Sequence, residues 1–403
     1  MALLIVSGLV VADHREAQAG EVVGSSGYKV LDPIRHGNLT IFPVVSSKSY
    51  PTGEFLTLDE GLRSGEVVVT ESGAAQGLLR RGPAPVQHEG ARVNTLVLVN
   101  NSSRPLLLLA GEIVTGGKQD RVIGKDRIIP PQSDPIDLGV FCVEPGRWVA
   151  TSDHFNTSEA TYAANRIPTT NGLASGVAGG TVGGPVAVSA EGGRVPTTVA
   201  PLPTTMMAQP SVRAKAMANK DQALVWSEVR KQQDAVRVQV AAAAPAPATT
   251  TQEVMATSSY AKLMENEEVK KQVDAVAAPL EENYRSLIGQ LRDRHAVGVV
   301  VAVNGRIIWA DVFASTDLLE KYWPKLVRSY ASEAVVTRAK DVEVSLTRAQ
   351  AFLEDLEGRH ETIEREPGVY RHSEITGDGF KAFAITSLLP KTGFDVHIAK
   401  MAD

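Results

Sequence analysis

Hydrophobic residues recur along this chain with two different periods, and the change of period sets out its organisation. The run Leu39 to Val45 predicts a strand, and Pro43 within it points to an edge or a bulge because proline cannot donate to a ladder. Leu56 to Leu62 predicts a short helix capped by Thr57, with Glu60 three residues on completing a capping box. Val67 to Thr70 is a further strand. Thr95 to Val99 and Leu106 to Leu109 predict a hairpin across the turn formers Asn100 to Pro105. From Ile136 to Glu144, period 2 places Ile136, Leu138, Val140, Cys142 and Glu144 on one face and Phe141 and Val143 on the other.

Later the period turns helical. Leu224, Val225, Trp226 and Val229 belong to one helical pattern. Leu280, Tyr284, Leu287, Ile288 and Leu291 belong to an amphipathic second one, with Arg285, Arg292 and Arg294 toward water. Val297 to Val303, Asn304-Gly305 and Arg306 to Val312 predict a hairpin, since Asn-Gly suits a type I′ turn. Asp317 to Val336 has helical spacing, with Pro324 either kinking the helix or opening a second one. Leu346 to Leu356 predicts another helix, and apolar runs around Gly377-Asp378-Gly379 and at Phe394 to Ile398 predict closing strands. The class is α+β, β-rich in its N-terminal part with mixed helices and hairpins in its C-terminal part. Residues 165–213 and 241–251 carry neither period and predict low-complexity linkers or insertions.

Composition narrows the function classes. With 43% hydrophobic and 22% charged residues in 403, the chain is of ordinary globular type. A net charge of −5 and pI near 6.0 give no global attraction to nucleic acid, so no such partner is expected and any basic site is local. Cys142 is the single cysteine, which excludes an intrachain disulfide and Cys-rich metal frameworks; with no His-Glu-x-x-His either, no metal or cofactor is expected. Met1 to Ala12 is apolar but too short to span a bilayer, and Ala17-Gln18-Ala19 offers a small-residue cleavage site. Residues 1–28 therefore read as signal or linker and lean toward export, although no Lys or Arg precedes the apolar run and an N-terminal strand is the other reading. No transmembrane anchor is expected.

Candidate chemistry gathers directly after the leucine strand. Gly111 to Lys118 is not a phosphate-binding loop, because Glu112 and Gln119 stand where that motif needs Gly and Ser or Thr. A backbone nest at Gly116-Gly117, flanked by Lys118, Gln119 and Arg121 and joined by Arg147, suits a phosphate or carboxylate. The plainer reading is a glycine turn with solvated charges. Glu112 and Glu144 are candidates for a general acid and base, and Cys142 for a nucleophile, as a hydrolase needs. Cys142 shares its face with aliphatic residues, which reads more simply as a small buried hydrophobe, and Glu144 with Arg147 reads as an ion pair fixing a turn.

At Gly116-Gly117-Lys118-Gln119-Asp120-Arg121, at Cys142-Val143-Glu144-Pro145-Gly146-Arg147-Trp148, and at Trp323 to Ala331, the sequence resembles a bacterial family of unassigned activity. That family is named for its association with ADP-ribosylglycohydrolases and with rhodanese-like phosphatase-superfamily proteins. The resemblance covers 29–400 apart from the insertions and implies one α+β domain over that span, whose halves fold together around the insertions, with a link to ADP-ribose or nucleotide metabolism. Its motif falls on Gly116, Gly117, Lys118, Gln119, Arg121, Cys142, Glu144, Gly146, Arg147 and Trp148; Asp120 stands where Asn is more usual and Pro145 where a polar residue is common. The expectation is a protein that binds a small anionic molecule, nucleotide- or ADP-ribose-like, with latent hydrolase chemistry. The alternative is an exported structural or interaction module in which the same residues fix turns.

Overall fold

Eight consecutive buried residues, Ala296–Val303, form a strand that is apolar throughout because both its faces are covered. The computed structural model describes residues 27–72, 94–145, 155–156, 206–242, 252, 254, 256–290, 294–340, 342–354 and 358–403. The first half carries β1 (Tyr28–Val30), β2 (Ile34–His36), β3 (Leu39–Ser46), β4 (Leu56–Thr57), α1 (Leu58–Ser64), β5 (Val67–Glu71), β6 (Thr95–Asn100), β7 (Leu106–Leu108), β8 (Glu112–Gly116), β9 (Arg121–Ile123), β10 (Arg127–Ile129), β11 (Ile136–Cys142) and β12 (Phe155–Asn156). Then come β13 (Met206–Met207), α2 (Pro210–Ala214) with a π-helical continuation (Lys215–Asn219), α3 (Gln222–Ala242), α4 (Tyr260–Glu265) and α5 (Glu267–Gln290). The chain finishes with β14 (Ala296–Val303), β15 (Arg306–Phe313), α6 (Thr316–Val335), α7 (Leu346–Glu354), β16 (Arg359–Glu366), β17 (Tyr370–Gly377), β18 (Phe380–Ser387) and β19 (Asp395–Ala402).

The largest sheet runs β1-β3-β14-β15-β19-β18-β17-β16, with β2 also on β3. N-terminal and C-terminal strands are thus neighbours in one sheet, and the chain is a single α+β domain. Helices α5 and α6 cover one face through Tyr284, Ile288, Tyr322, Trp323 and Tyr330, while Ala349 and Leu353 of α7 close the other over Phe42, Val44 and Val300. Two smaller sheets, β12-β8-β9-β11-β6-β5 and β10-β7-β4, enclose a second apolar layer that includes Leu58, Leu98, Leu108, Val114 and Ile123. The polar strand β16 forms an edge of the large sheet, where its charges discourage pairing with another chain.

Several local expectations hold because their signals are local. Thr57 and Glu60 make the reciprocal capping box of α1, which ends on Gly65 in the left-handed region. Asn304 and Gly305, at φ 52° and 73°, turn β14 into β15 as a type I′ hairpin.

Others are corrected by tertiary pairing. Thr95–Asn100 and Leu106–Leu108 are not a hairpin: β6 pairs β5 and β11, while β7 pairs β10 and β4 in a different sheet. The turn between them is fastened elsewhere, Asn100 Nδ2 donating to the carbonyls of Arg104 at 2.8 Å and Pro130 at 3.1 Å. Pro43 lies on neither an edge strand nor a bulge of its own. It sits in β3 between β14 and the break separating β1 from β2, and its carbonyl accepts from Leu31 N–H at 2.8 Å on that side, where its missing donor is not needed. α6 runs unbroken through Pro324, whose one forfeited backbone bond is outweighed by the buried face around it. The insertion expected over 165–213 ends earlier than its composition suggests, since Met206 and Met207 pair with β8 and Arg213 is fully buried. Likewise Ala241 and Ala242 belong to α3. Residues 1–26, with the signal-like segment, lie outside the described residues, and among those described no helix is long and apolar enough to cross a membrane.

Candidate functional site

A cleft of about 790 Å³ opens between α1, α4, α5 and α6, with Met206 and Met207 of β13 also in its wall. Its floor carries an ion cluster that local sequence pattern does not announce. Asp59, held in the first turn of α1, accepts from Lys325 Nζ at 2.7 Å, and the same ammonium contacts Glu112 at the start of β8. Glu112 is 0% exposed, and its second carboxylate oxygen accepts Leu109 N–H at 2.7 Å. Burial raises the pKa of Glu112 against the pull of Lys325. For Lys325 burial opposes the charge, but Asp59 and Glu112 together hold its pKa above the ordinary value. Lys325 is therefore a fixed cation, unsuited to act as a base or amine nucleophile near neutral pH.

Above this floor the cleft is rimmed by charge. Arg63 of α1, Lys270 and Arg285 of α5, and Lys321 and Arg328 of α6 all line it. Acidic neighbours hold several of them: Arg328 donates to Asp274 at 3.2 Å and Glu281 at 3.0 Å, Arg285 to Glu281 at 2.7 Å, and Lys321 to Glu60 at 3.2 Å. These are partly solvated pairs of small individual worth.

Behind the cleft, a second cluster ties the sheets together. Arg213 grips Asp311 of β15 with both arms of its guanidinium, at 2.9 and 3.0 Å, and donates through Nε to Ala110 O at 3.2 Å. Gly111 lets this happen: at φ 96°, a Cβ there would collide with the Arg213 side chain. His397 of β19 bridges Asp311 at 3.1 Å and Asp126 at 2.5 Å, and Tyr330 closes on Asp311. All five side chains are buried. Burial disfavours a charged His397, yet Asp126 and Asp311 raise its pKa to about 9 from 6.5. A folded-state pKa above the unfolded one stabilises fully below the unfolded value, and the gain is lost as pH rises through the folded value. The expected outcome is that stability contributed by His397, roughly 3 kcal/mol by the conversion of 1.36 kcal/mol per unit, fades between about pH 6.5 and 9. Denaturant melts of native and His397→Gln protein across that range check it, the variant showing a flatter profile.

The turn that carries the motif is built differently from an open anion site. Gly116 and Gly117 have positive φ, 112° and 50°, but Gly116 N–H already donates to Asp120 Oδ1 at 3.3 Å. Lys118 N–H donates to Glu71 at 2.8 Å, Asp120 N–H to Glu144 at 3.1 Å, Gln119 Nε2 to Glu144 O at 3.1 Å, and Ser259 Oγ to Asp120 at 2.6 Å. Arg121 is buried, with Glu71 at 4.0 Å. The chain's own carboxylates accept three of the turn's backbone amides, those of Gly116, Lys118 and Asp120, and none of Gly116, Gly117, Lys118, Gln119 or Arg121 lines the cleft. Glu112 and Glu144 belong to different clusters, the first at Lys325 and the second at this turn. Gly146, Arg147 and Trp148 lie outside the described residues.

Cys142 occupies the inward face of β11 with Leu138 and Val140, as the alternation requires. Burial raises the pKa of its thiol, and Sγ accepts Glu144 N–H at 3.3 Å. Native protein is expected to resist alkylation at neutral pH, and Cys142→Ser to melt below Cys142→Ala because it buries a hydroxyl in place of the thiol. Timed iodoacetamide labelling and the two melting temperatures check this.

Reading from sequence passed over Lys325, Asp59, Asp311 and Arg213. Register held a signal for two of them: Asp311 alternates with Ile307, Trp309 and Phe313, and Lys325 lies one helical step from Tyr322 on the apolar stripe of α6. Charges at core positions mark a buried network. Among the described residues, no group of three or more His, Cys, Asp or Glu side chains is arranged to hold a metal ion. In comparison with known proteins, a family model described as the ARG and Rhodanese-Phosphatase-superfamily-associated Protein domain matches residues 27–172 and 202–400. No curated protein and no solved structure matches.

Proposed function

This chain belongs to the ARG and Rhodanese-Phosphatase-superfamily-associated Protein family, and from that membership and the cleft we propose that it binds a small anionic molecule, nucleotide- or ADP-ribose-like. The observation carrying this reading is a cleft of about 790 Å³ with cations on the helices around it and a buried Lys325–Asp59 pair in its floor. The volume falls in the range of ordinary ligand sites. The rim pairs of Arg328, Arg285 and Lys321 each contribute little when solvated, so a phosphate or carboxylate can exchange with Asp274, Glu281 or Glu60 at small cost while gaining a planar guanidinium fork. Of the three side chains with hydrolase potential, Glu112 alone is linked to the cleft, lying fully buried beneath its wall as the partner of Lys325, which lines it. Burial moves its pKa upward, toward the range a proton donor needs.

The motif turn supports a second reading, an interaction or structural module, because Glu71, Asp120 and Glu144 meet its backbone and brace it from within. A thermal-shift screen of the full chain against nucleotides, ADP-ribose and sugar phosphates separates the two. A ligand at 100 times its Kd stabilises the native state by about 2.7 kcal/mol, an easily read shift. A screen in which none of these anions raises the melting temperature favours the module.

A further inference from the structure

Away from the cleft, a separate cavity of about 180 Å³ lies between the loop after β9, the π-helical turn and strands β16 to β18. His372 of β17 lines it and is only 1% exposed, yet neither of its ring nitrogens meets a hydrogen-bond partner among the described residues. A buried imidazole without partners forfeits the full solvation of both nitrogens, so such a group ordinarily marks a site where something else supplies the bond. The remaining lining has two characters. Met217, Ile363 and Phe383 are apolar, and Phe383 stacks on the His372 ring with centroids 5.9 Å apart. Lys125 and Lys220 bring ammonium groups to the mouth against one lining carboxylate, Glu364, to which Lys125 is paired; Lys220 reaches Glu374 at 3.4 Å.

We propose that this cavity is a second binding site, for a small amphiphilic carboxylate of about the size of benzoate. An apolar cavity of about 150 Å³ accommodates a benzene ring, so the space here takes a ring with one carboxylate attached. The ring lies among Met217, Ile363 and Phe383, while the carboxylate accepts from the His372 N–H and faces Lys220. Burial holds the His372 pKa down at about 4, so near neutral pH the imidazole offers this bond as an uncharged donor and the lysines supply the charge. Bare phosphate fits poorly, because the apolar walls cannot replace its hydration. The cavity shares no lining residue with the cleft, and the proposal stands independently of the function placed there.

Titration of the full chain with benzoate, acetate and inorganic phosphate by calorimetry, with the imidazole C2–H resonances followed by NMR, tests it. Benzoate is expected to bind at least about 10-fold more tightly than acetate, from burial of the ring, and more tightly than phosphate. The resonance that disappears in His372→Phe should be the one that shifts. Lys220→Gln, a change at a half-exposed position that leaves folding intact, should weaken benzoate by about 10-fold. The proposal is overturned if benzoate does not bind, if it binds while the His372 resonance stays in place, if phosphate binds more tightly, or if Lys220→Gln binds as the native chain does.

Discussion

Arg213→Met is expected to destabilise the protein by about 3–5 kcal/mol, although residue 213 falls at the end of a stretch whose composition resembles a linker. The guanidinium is fully buried and answers Asp311 with two parallel bonds, Ala110 O with a third, and the Trp309 ring from 4.4 Å. Removing one partner of a buried pair leaves the other charge without compensation, which costs far more than the pair itself contributes. Methionine keeps most of the volume, so the loss reports charge and hydrogen bonding rather than a cavity. Because His397 and Tyr330 still reach Asp311, the lower half of the range is the better expectation. A depression of the melting temperature of about 4–5 °C in calorimetry corresponds to it for a chain of 403 residues. Arg213→Lys should recover only part, since a point charge cannot grip both carboxylate oxygens and the Ala110 carbonyl together. Melting within about 2 °C of the native chain would show that Arg213 does not join β15 to the β7–β8 corner as described.

Lys325→Met carries a similar cost for a different reason. Two carboxylates, Glu112 at 0% and Asp59 at 5% exposure, share its one ammonium, and without it they face each other in a nearly dry floor. The expected loss is again about 3–5 kcal/mol at neutral pH. Here the protein has an escape that Asp311 lacks. Burial already raises the pKa of Glu112, so in the variant it takes up a proton more readily, and the penalty should shrink as pH falls toward 5. Adding Glu112→Gln, which keeps an acceptor for Leu109 N–H while removing the charge, should restore much of the stability. Chemical denaturation of the single and double variants at pH 7 and pH 5 checks both statements. A penalty that is independent of pH and untouched by Glu112→Gln would contradict the ion cluster.

What the sequence discloses here follows the reach of each signal. The capping box at Thr57 and Glu60, the Asn304-Gly305 turn and the alternation that buries Cys142 depend on residues a few positions apart, and the structure has them as expected. The pairing of Leu106–Leu108 with β4 and β10 is not written near those leucines. It depends on which buried strand is free to receive a fully apolar one, so a nearby turn motif misleads. The cleft floor is more remote still: Lys325 stands 266 positions from Asp59 and 213 from Glu112. Composition hides Arg213 altogether, because a single arginine beyond a Gly, Thr and Pro-rich run carries no period. The motif turn was visible as a cluster of polar residues after a buried strand, but polarity alone does not say whether its backbone amides face a ligand or the carboxylates of Glu71, Asp120 and Glu144.

That distinction makes one measurement the most direct test of where binding occurs. ADP-ribose affinity is to be determined by calorimetry on the native chain and on Arg63→Ala, Arg328→Ala and Lys118→Ala, with melting temperatures taken from the same preparations. Arg63 and Arg328 line the cleft, whereas Lys118 lies on the motif turn. A hydrogen bond to a charged group contributes roughly 1.5–3 kcal/mol, so either arginine variant should weaken binding by about 10- to 150-fold with little change in melting temperature, and Lys118→Ala should bind as the native chain does. Loss of affinity in Lys118→Ala with both arginine variants unaffected would contradict the cleft and return the site to the turn.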